Sequence, residues 1–577
     1  MGAVWERSGT FAARRHPHPP KISEYDGRAP AAASFGPRGG PGAWDLLRNI
    51  GMPKRREQLA LWIVFLGYAA VVLLGATHHE LWRDEVRALS LAKEGSLTDL
   101  FQQLRFEGHP AVWYLLLRAG YAATHSRLVL PGLSLIVAAL AVYVLLRHSP
   151  FSWPQKILLA FGVFPLFEYS VVARNYGLGM LVLVVLATLY PRRLVIPLWW
   201  GALLALLANT SAHGAVIAAA IMVGTGWDFF AHMRRRRATG AVVVNARRVW
   251  IGAAIAIAGL AAARATVSTS KLPDWNGPMP GARTVVHQLG LAALNPGRDL
   301  GVLLPSPVAA LNDSHGRLQR SAVQTIAIDA VLLIAVIAVW GDWSLLLILV
   351  TAVAGTGALF RTVYGAHVRH TGLLWFVLVL LAWQLLRRRA QGTQRPPPSL
   401  GRRTRAFAGA LTIVMIFQAI EGVRRIRQDV ILPWSAAPAL AQLLQRPEFL
   451  GASVLGTSDY WLETEAYYSP NPMYFHNQRR FESHVNMTAP FFGDHSVSYL
   501  LAEADTVAEA TNQPILLLLS DADLARASGA DSIRLRARTE EIAALTQVIG
   551  DEAYRVFRLT NRDPAGATPR WPGSTAR

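Results

Sequence analysis

Groups able to do chemistry gather in one stretch of this chain. His79-Glu80-Leu81-Trp82-Arg83-Asp84-Glu85-Val86-Arg87 runs on to Glu107-Gly108-His109-Pro110-Ala111-Val112-Trp113-Tyr114, between segments apolar enough for lipid. Ionisable groups at a membrane boundary are costly and are usually kept for function. An aspartate with an ordinary pKa of about 3.9 is ionised at neutral pH and can accept a proton as a hydroxyl attacks. A plainer use of Asp84 and Glu85 would be to cap or solvate an interfacial helix through Ala88–Lys93.

Two further clusters carry charge. Glu168-Tyr169-Ser170-Val171-Val172-Ala173-Arg174-Asn175-Tyr176-Gly177 ends in an arginine and a tyrosine. A guanidinium offers paired donors in a fixed fork, which suits phosphate; a lone arginine at a helix end also serves as a snorkelling anchor. The third, Arg361 to Gly372, brings Arg361, His367, Arg369 and His370 into a short loop that opens a span. A metal reading of the two histidines is weak because no carboxylate lies near them in the sequence. A phosphate cradle fits the charge, and an anchoring loop is the plainer alternative.

The elements that must position these groups are membrane helices. Hydrophobic residues make up 52% of the chain and charged residues only 16%, below the quarter or so usual for soluble proteins. The net charge of +20 lies in short basic runs between apolar segments, as orientation signals do, which argues against a nucleic-acid partner. The absence of cysteine excludes a disulfide framework and thiolate metal sites. Runs of near-spanning length are Leu59–Ala76, Leu128–Leu146, Ile157–Val172, Tyr176–Tyr190, Leu194–Asn209, Gly214–Phe230, Val249–Ala265, Thr325–Val339, Leu345–Phe360, Gly372–Leu386 and Ala406–Ile420. Pro110–Thr124 reads as a juxtamembrane or partly inserted helix.

Basic runs at Lys54–Arg56, Arg192-Arg193, Arg234–Arg237 and Arg387–Arg405 point to the cytoplasm, which puts the N-terminus inside and everything after Glu421 outside. Residues 1–51 read as a disordered or spurious extension, with Met52 an alternative start, and 561–577 as a disordered tail. Between them lie a membrane domain over 52–423 and a small external α/β domain over 424–560. In the latter, Ala452–Gly456, Pro514–Ser520 and Tyr554–Leu559 suit buried strands, and Thr539–Ile549 a helix. Asp459-Tyr460-Trp461 and the aromatic and polar run Tyr474–Phe481 suit carbohydrate contact or an ordinary core equally.

Asp84-Glu85, followed by His109-Pro110 with Trp113-Tyr114, resembles the first external loop of the GT-C glycosyltransferases. The branch most similar uses lipid-linked sugars and includes protein O-mannosyltransferases and aminoarabinose transferases. That family usually has a second proline where this chain has Ala111. The Ser170 to Tyr176 and Arg361 to Gly372 clusters resemble further elements of the family. The resemblance implies a GT-C fold of about 11 transmembrane helices in a bacterial inner membrane. It implies an inverting enzyme that moves a sugar from a polyprenyl-phosphate donor to a lipid, glycan or protein acceptor of the cell envelope, without cofactor or metal. Asp84 would be the base, with Glu85 as fallback, orienting group or acceptor contact. Arg83, His109, Tyr114, Arg174, Tyr176, Arg361, His367, Arg369 and His370 would bind substrate. The competing reading is a transporter or flippase of a lipid-linked precursor, which would be expected to show paired broken helices and internal repeats. No repeat is evident.

Overall fold

The computed structural model describes residues 55–239, 244–266, 281–303, 322–363, 365, 367–391, 398–487 and 495–560. The expected disordered ends, 1–51 and 561–577, lie outside these residues. Contacts divide the chain into Met1–Glu57, of which only Arg55–Glu57 are described, and Gln58–Arg577. The membrane helices and the C-terminal sheet therefore belong to one compact unit.

The first part of the chain is helical: α1 Arg55–His78, α2 Arg83–Lys93, α3 Leu97–Leu104, α4 Val112–Thr124, α5 Val129–His148, α6 Trp153–Ala160, α7 Tyr176–Leu189, α8 Pro197–Ala208, α9 Ala212–Thr239 and α10 Ala246–Thr266. There follow α11 Ala282–Leu294, α12 Pro296–Leu300, α13 Ala322–Val339, α14 Trp343–Thr362, α15 Val368–Gln391 and α16 Pro398–Ile431. Among the described residues, eight helices are long and apolar enough to cross a membrane: α1, α5, α9, α10, α13, α14, α15 and α16. Tyr176–Arg192 and Pro197–Ala208 are shorter apolar helices. The chain is thus a multi-pass helical protein. The 13-residue α4 is too short to span.

The Ile157–Val172 run is not one straight span. After α6 the chain passes through a π-helical turn, Phe164–Glu168, and then runs irregularly to Asn175. Pro165 has no backbone N–H and so cannot continue a helical ladder. The Pro165 carbonyl accepts from Tyr68 Oη at 2.8 Å, and Ser170 O accepts from Ser134 Oγ at 2.8 Å. Non-helical backbone among membrane helices survives only where protein or a water-filled cavity covers it; residues 162–173 are almost wholly buried. The outcome is a loop that presents Arg174 instead of a helix end.

The C-terminal part comprises α17 Ala437–Leu444, α18 Asp459–Tyr468, α19 Val497–Thr511, α20 Asp521–Arg526 and α21 Gly529–Arg538. Its strands are β1 Ser453–Gly456, β2 Met473–Phe475, β3 Arg480–Glu482, β4 Ile515–Leu519, β5 Thr539–Leu545 and β6 Tyr554–Leu559, in the order β3-β2-β1-β4-β6-β5. Only the central β1 pairs parallel with both neighbours. Alternate residues of β4 enter two cores: Leu516 and Leu518 pack with Trp461 and Leu462 of α18, Leu517 and Leu519 with Leu500 and Leu501 of α19. A strand covered on both faces reads as continuous leucine for that reason.

One expectation is corrected here. Thr539–Leu545 is a strand, not part of a helix, because it pairs antiparallel with β6 from Thr539↔Leu559 to Leu545↔Tyr554; tertiary pairing outweighs local propensity. Residues 423 and 424 lie inside α16, a continuous helix of 34 residues, whose Asp429 pairs with His79.

Candidate active site

The site begins with the start of α2. Glu85 reaches back to the Trp82 N–H at 3.3 Å, satisfying a donor that the first helical turn leaves free. Val86, Leu89 and Ala92 pack into a core with Leu100, Trp113, Leu117 and Leu130, which sets the rotation of the helix. Successive helical residues point about 100° apart. Glu85 consequently faces inward with no exposure, while the Asp84 side chain keeps 38% of its surface.

Asp84 Oδ2 meets two arginines from distant elements. Arg174 Nη1 lies 2.9 Å away and Arg369 Nη1 3.5 Å away. Arg174 also donates to the Asp84 carbonyl at 2.7 Å and to His109 Nε2 at 3.1 Å. Because Arg174 can only donate, His109 Nε2 must accept, which leaves the proton on Nδ1. Burial works to raise the Asp84 pKa, but the charges of Arg174, Arg369 and Arg83 outweigh it and hold the carboxyl at about 2. Burial, then Arg174 and His213, push His109 down to about 3. Asp84 is therefore anionic and His109 neutral at physiological pH.

Arg369 opens α15, its guanidinium 5.1 Å over the Trp82 ring. Its backbone is pinned by Tyr169 Oη, which donates to the Arg369 carbonyl at 2.6 Å. Close approach makes this possible: a Cβ at Gly177 would lie 2.6 Å from the Tyr169 carbonyl, and one at Gly372 would collide with the Tyr169 hydroxyl oxygen. Tyr169 stacks on Tyr176 at 5.8 Å, and Tyr176 meets His109 edge-on at 5.8 Å. His213 stacks on His370 at 4.9 Å, and His367 meets His370 edge-on at 5.2 Å. A wall of rings thus flanks the arginine pair.

Behind the site lies a buried relay. Glu85 accepts from the Ala173 N–H at 2.5 Å and pairs with His79 Nε2 at 3.0 Å; His79 Nδ1 pairs with Asp429 at 2.9 Å. Burial alone would lower the His79 pKa, but the two carboxylates raise it to about 10. An imidazolium between two carboxylates ties α2, the Arg174 loop and the end of α16 together. Both oxygens of Glu85, expected to share the catalytic work, are thus engaged by buried partners within the protein, a geometry that suits positioning.

The C-terminal domain holds the same loop. Glu552 accepts from the Arg83 N–H at 2.7 Å, from Thr464 Oγ1 at 2.9 Å and from Ser435 Oγ at 2.5 Å. Arg83 Nη2 pairs with Asp551 at 2.5 Å, and Arg87 with Glu107 at 2.5 Å and Glu463 at 2.9 Å. Glu94, Glu482 and His484 have potential ligand atoms within 4.8 Å of one another, and His484 Nδ1 bonds Glu94 at 2.8 Å.

The expected site residues thus separate into groups. Asp84, His109, Arg174, Tyr176, Arg369 and His370, with His367 against His370, lie in one neighbourhood. Arg83 instead points to Asp551. Tyr114 is buried, its hydroxyl 3.4 Å from Glu107. Arg361 is not brought to Asp84: its Nε donates to buried Asp299 of α12 at 2.6 Å. Sequence reasoning missed His213, whose only signal is a histidine between two apolar runs, and Asp429 and Glu552, which carry none.

The sequence matches no protein-family profile and no curated protein. Among solved structures it is similar to the crystal structure of ArnT from Cupriavidus metallidurans in the apo state. The two are 12% identical, the match covers 86% of this chain and 97% of that one, and the TM-score is 0.36. A similarity so distant carries neither an activity nor a set of site residues across.

Proposed function

We propose that the protein is a GT-C-type glycosyltransferase of the inner membrane, using a polyprenyl-phosphate sugar as donor. One observation carries this reading: a carboxylate oxygen faced by two arginines from separate elements, beside a wall of aromatic and imidazole rings. Asp84 is the base. The acceptor hydroxyl oxygen attacks the anomeric carbon from the face opposite the phosphate. The bond from that carbon to the phosphate oxygen breaks, its electron pair stays with the polyprenyl phosphate, and the hydroxyl proton passes to Asp84. Arg174 and Arg369 receive the phosphate charge, which water screens poorly near lipid. His109 holds Arg174 in register, and Tyr176, His213 and His370 line the sugar side. Arg361 has no part in this constellation. The acceptor is a lipid, glycan or protein of the cell envelope, reached on the outer face.

The purified protein, given a polyprenyl-phosphate-linked sugar in detergent, should release polyprenyl phosphate in step with glycosylated acceptor. Lipid and glycan analysis of a deletion strain should reveal one missing sugar, which identifies donor and acceptor together. A deletion strain that loses no sugar but accumulates a lipid-linked precursor on the inner leaflet would replace this reading with a flippase.

A further inference from the structure

We propose that the donor's phosphate draws Arg369 off Asp84, so that donor binding itself frees the carboxylate to act as base. The inference rests on the transferase reading above and adds an order of events to it: donor first, acceptor deprotonation second.

The two arginines are not equivalent. Arg174 is held at three points, at 2.7, 2.9 and 3.1 Å, and its side chain is only 12% exposed. Arg369 reaches Asp84 at 3.5 Å, beyond the roughly 2.7–2.9 Å of a good charge-assisted bond. Among the described residues no other side chain accepts from it, its face lies over Trp82, and 21% of its side chain is exposed. Its main chain is anchored through Tyr169, so a swing of the side chain alone would move the charge. A phosphate offers the guanidinium fork two oxygens at once, a better partner than one distant carboxylate oxygen.

The exchange also addresses a chemical difficulty. Beside neutral His109, Asp84 lies in the field of three arginines, Arg83 on its own helix, Arg174 from its loop and Arg369 from α15. A carboxylate held near 2 by these cations is ionised but takes a proton poorly. Moving one cation from the carboxylate to a phosphate raises its proton affinity when the leaving group is in place. Linkage makes the effect reciprocal: whatever weakens the hold of Asp84 on Arg369 must strengthen phosphate binding.

The test measures binding of undecaprenyl phosphate to the purified full-length protein in detergent, with uncharged undecaprenol as control. Wild type, Asp84→Asn, Arg369→Ala and the double variant are compared. Asp84→Asn is expected to bind the phosphate lipid tighter by roughly fivefold or more, the low end for coupled sites. That gain should fall below about twofold when residue 369 is already alanine, as a double-mutant cycle isolates. An equal gain in both backgrounds means that Asp84 is merely a repelling charge and overturns the proposal, as does no gain at all. If Asp84→Asn does not fold, carbodiimide labelling of Asp84 in the wild type decides, because the reagent consumes the protonated carboxyl. Added undecaprenyl phosphate should speed labelling, and unchanged or slower labelling overturns the proposal. A wild type that does not distinguish the phosphate lipid from undecaprenol would remove the transferase reading, and this inference with it.

Discussion

Replacing Arg174 with alanine removes three contacts at once: to the Asp84 carboxylate at 2.9 Å, the Asp84 carbonyl at 2.7 Å and His109 Nε2 at 3.1 Å. A buried charge-assisted hydrogen bond contributes about 1.5–3 kcal/mol. The carboxylate contact deserves less, since the Asp84 side chain is 38% exposed and solvent screens such pairs toward about 1 kcal/mol. With substrate present, the lost partner would also be that of a poorly solvated phosphate, an omission that costs about 2–5 kcal/mol. Taking about 2–4 kcal/mol for the transition state, kcat/KM should fall roughly 30- to 1,000-fold. Arg174→Lys should recover only part, because one ammonium cannot reach all three partners in the geometry of a planar fork. Initial rates of sugar transfer, with donor varied at fixed acceptor, give the ratio, and thermal unfolding in the same detergent shows that the fold is kept. An alanine variant within threefold of wild type would refute the assignment of Arg174 to the phosphate.

The neighbouring acids should behave differently. Asp84→Asn should keep the fold and abolish transfer, measured as product from the lipid-linked donor; a rate within a few fold of wild type removes Asp84 as base. Glu85→Ala breaks a fully buried pair, and a loss of about 3–5 kcal/mol of stability is expected, so activity and melting temperature should fall together. The His79 pKa is raised in the fold to about 10 from its ordinary 6.5. Its stabilising contribution is therefore fully present below about pH 6.5 and is lost as pH rises through about 10; melting scans across that window should show the loss, and His79→Gln should flatten it. Reporter fusions within Arg387–Arg405 and after Arg577 should report the cytoplasmic and external sides respectively, and a cytoplasmic C-terminus would mean that a spanning segment was miscounted.

The spanning helices were legible from the amino-acid order because an apolar run of sufficient length needs no partner to declare itself. The buried strands β1, β4 and β6 were legible for a related reason, and so was the gathering of ionisable groups around Asp84. Other features depend on contacts that only the folded chain makes. Which of Asp84 and Glu85 keeps an exposed side chain follows from the rotation of α2 against α4 and α18, not from their types. Arg361 and Arg369 look alike in the sequence, yet Asp299 takes one and Asp84 the other. Thr539–Leu545 became a strand because β6 offered it an edge, and the Ile157–Val172 run broke where surrounding helices could cover its backbone. The grip of Glu552 on the Arg83 N–H spans 469 positions. Local periodicity reports how a segment buries its own side chains; it holds no record of which distant charge will meet it, and in this protein those meetings form the candidate site.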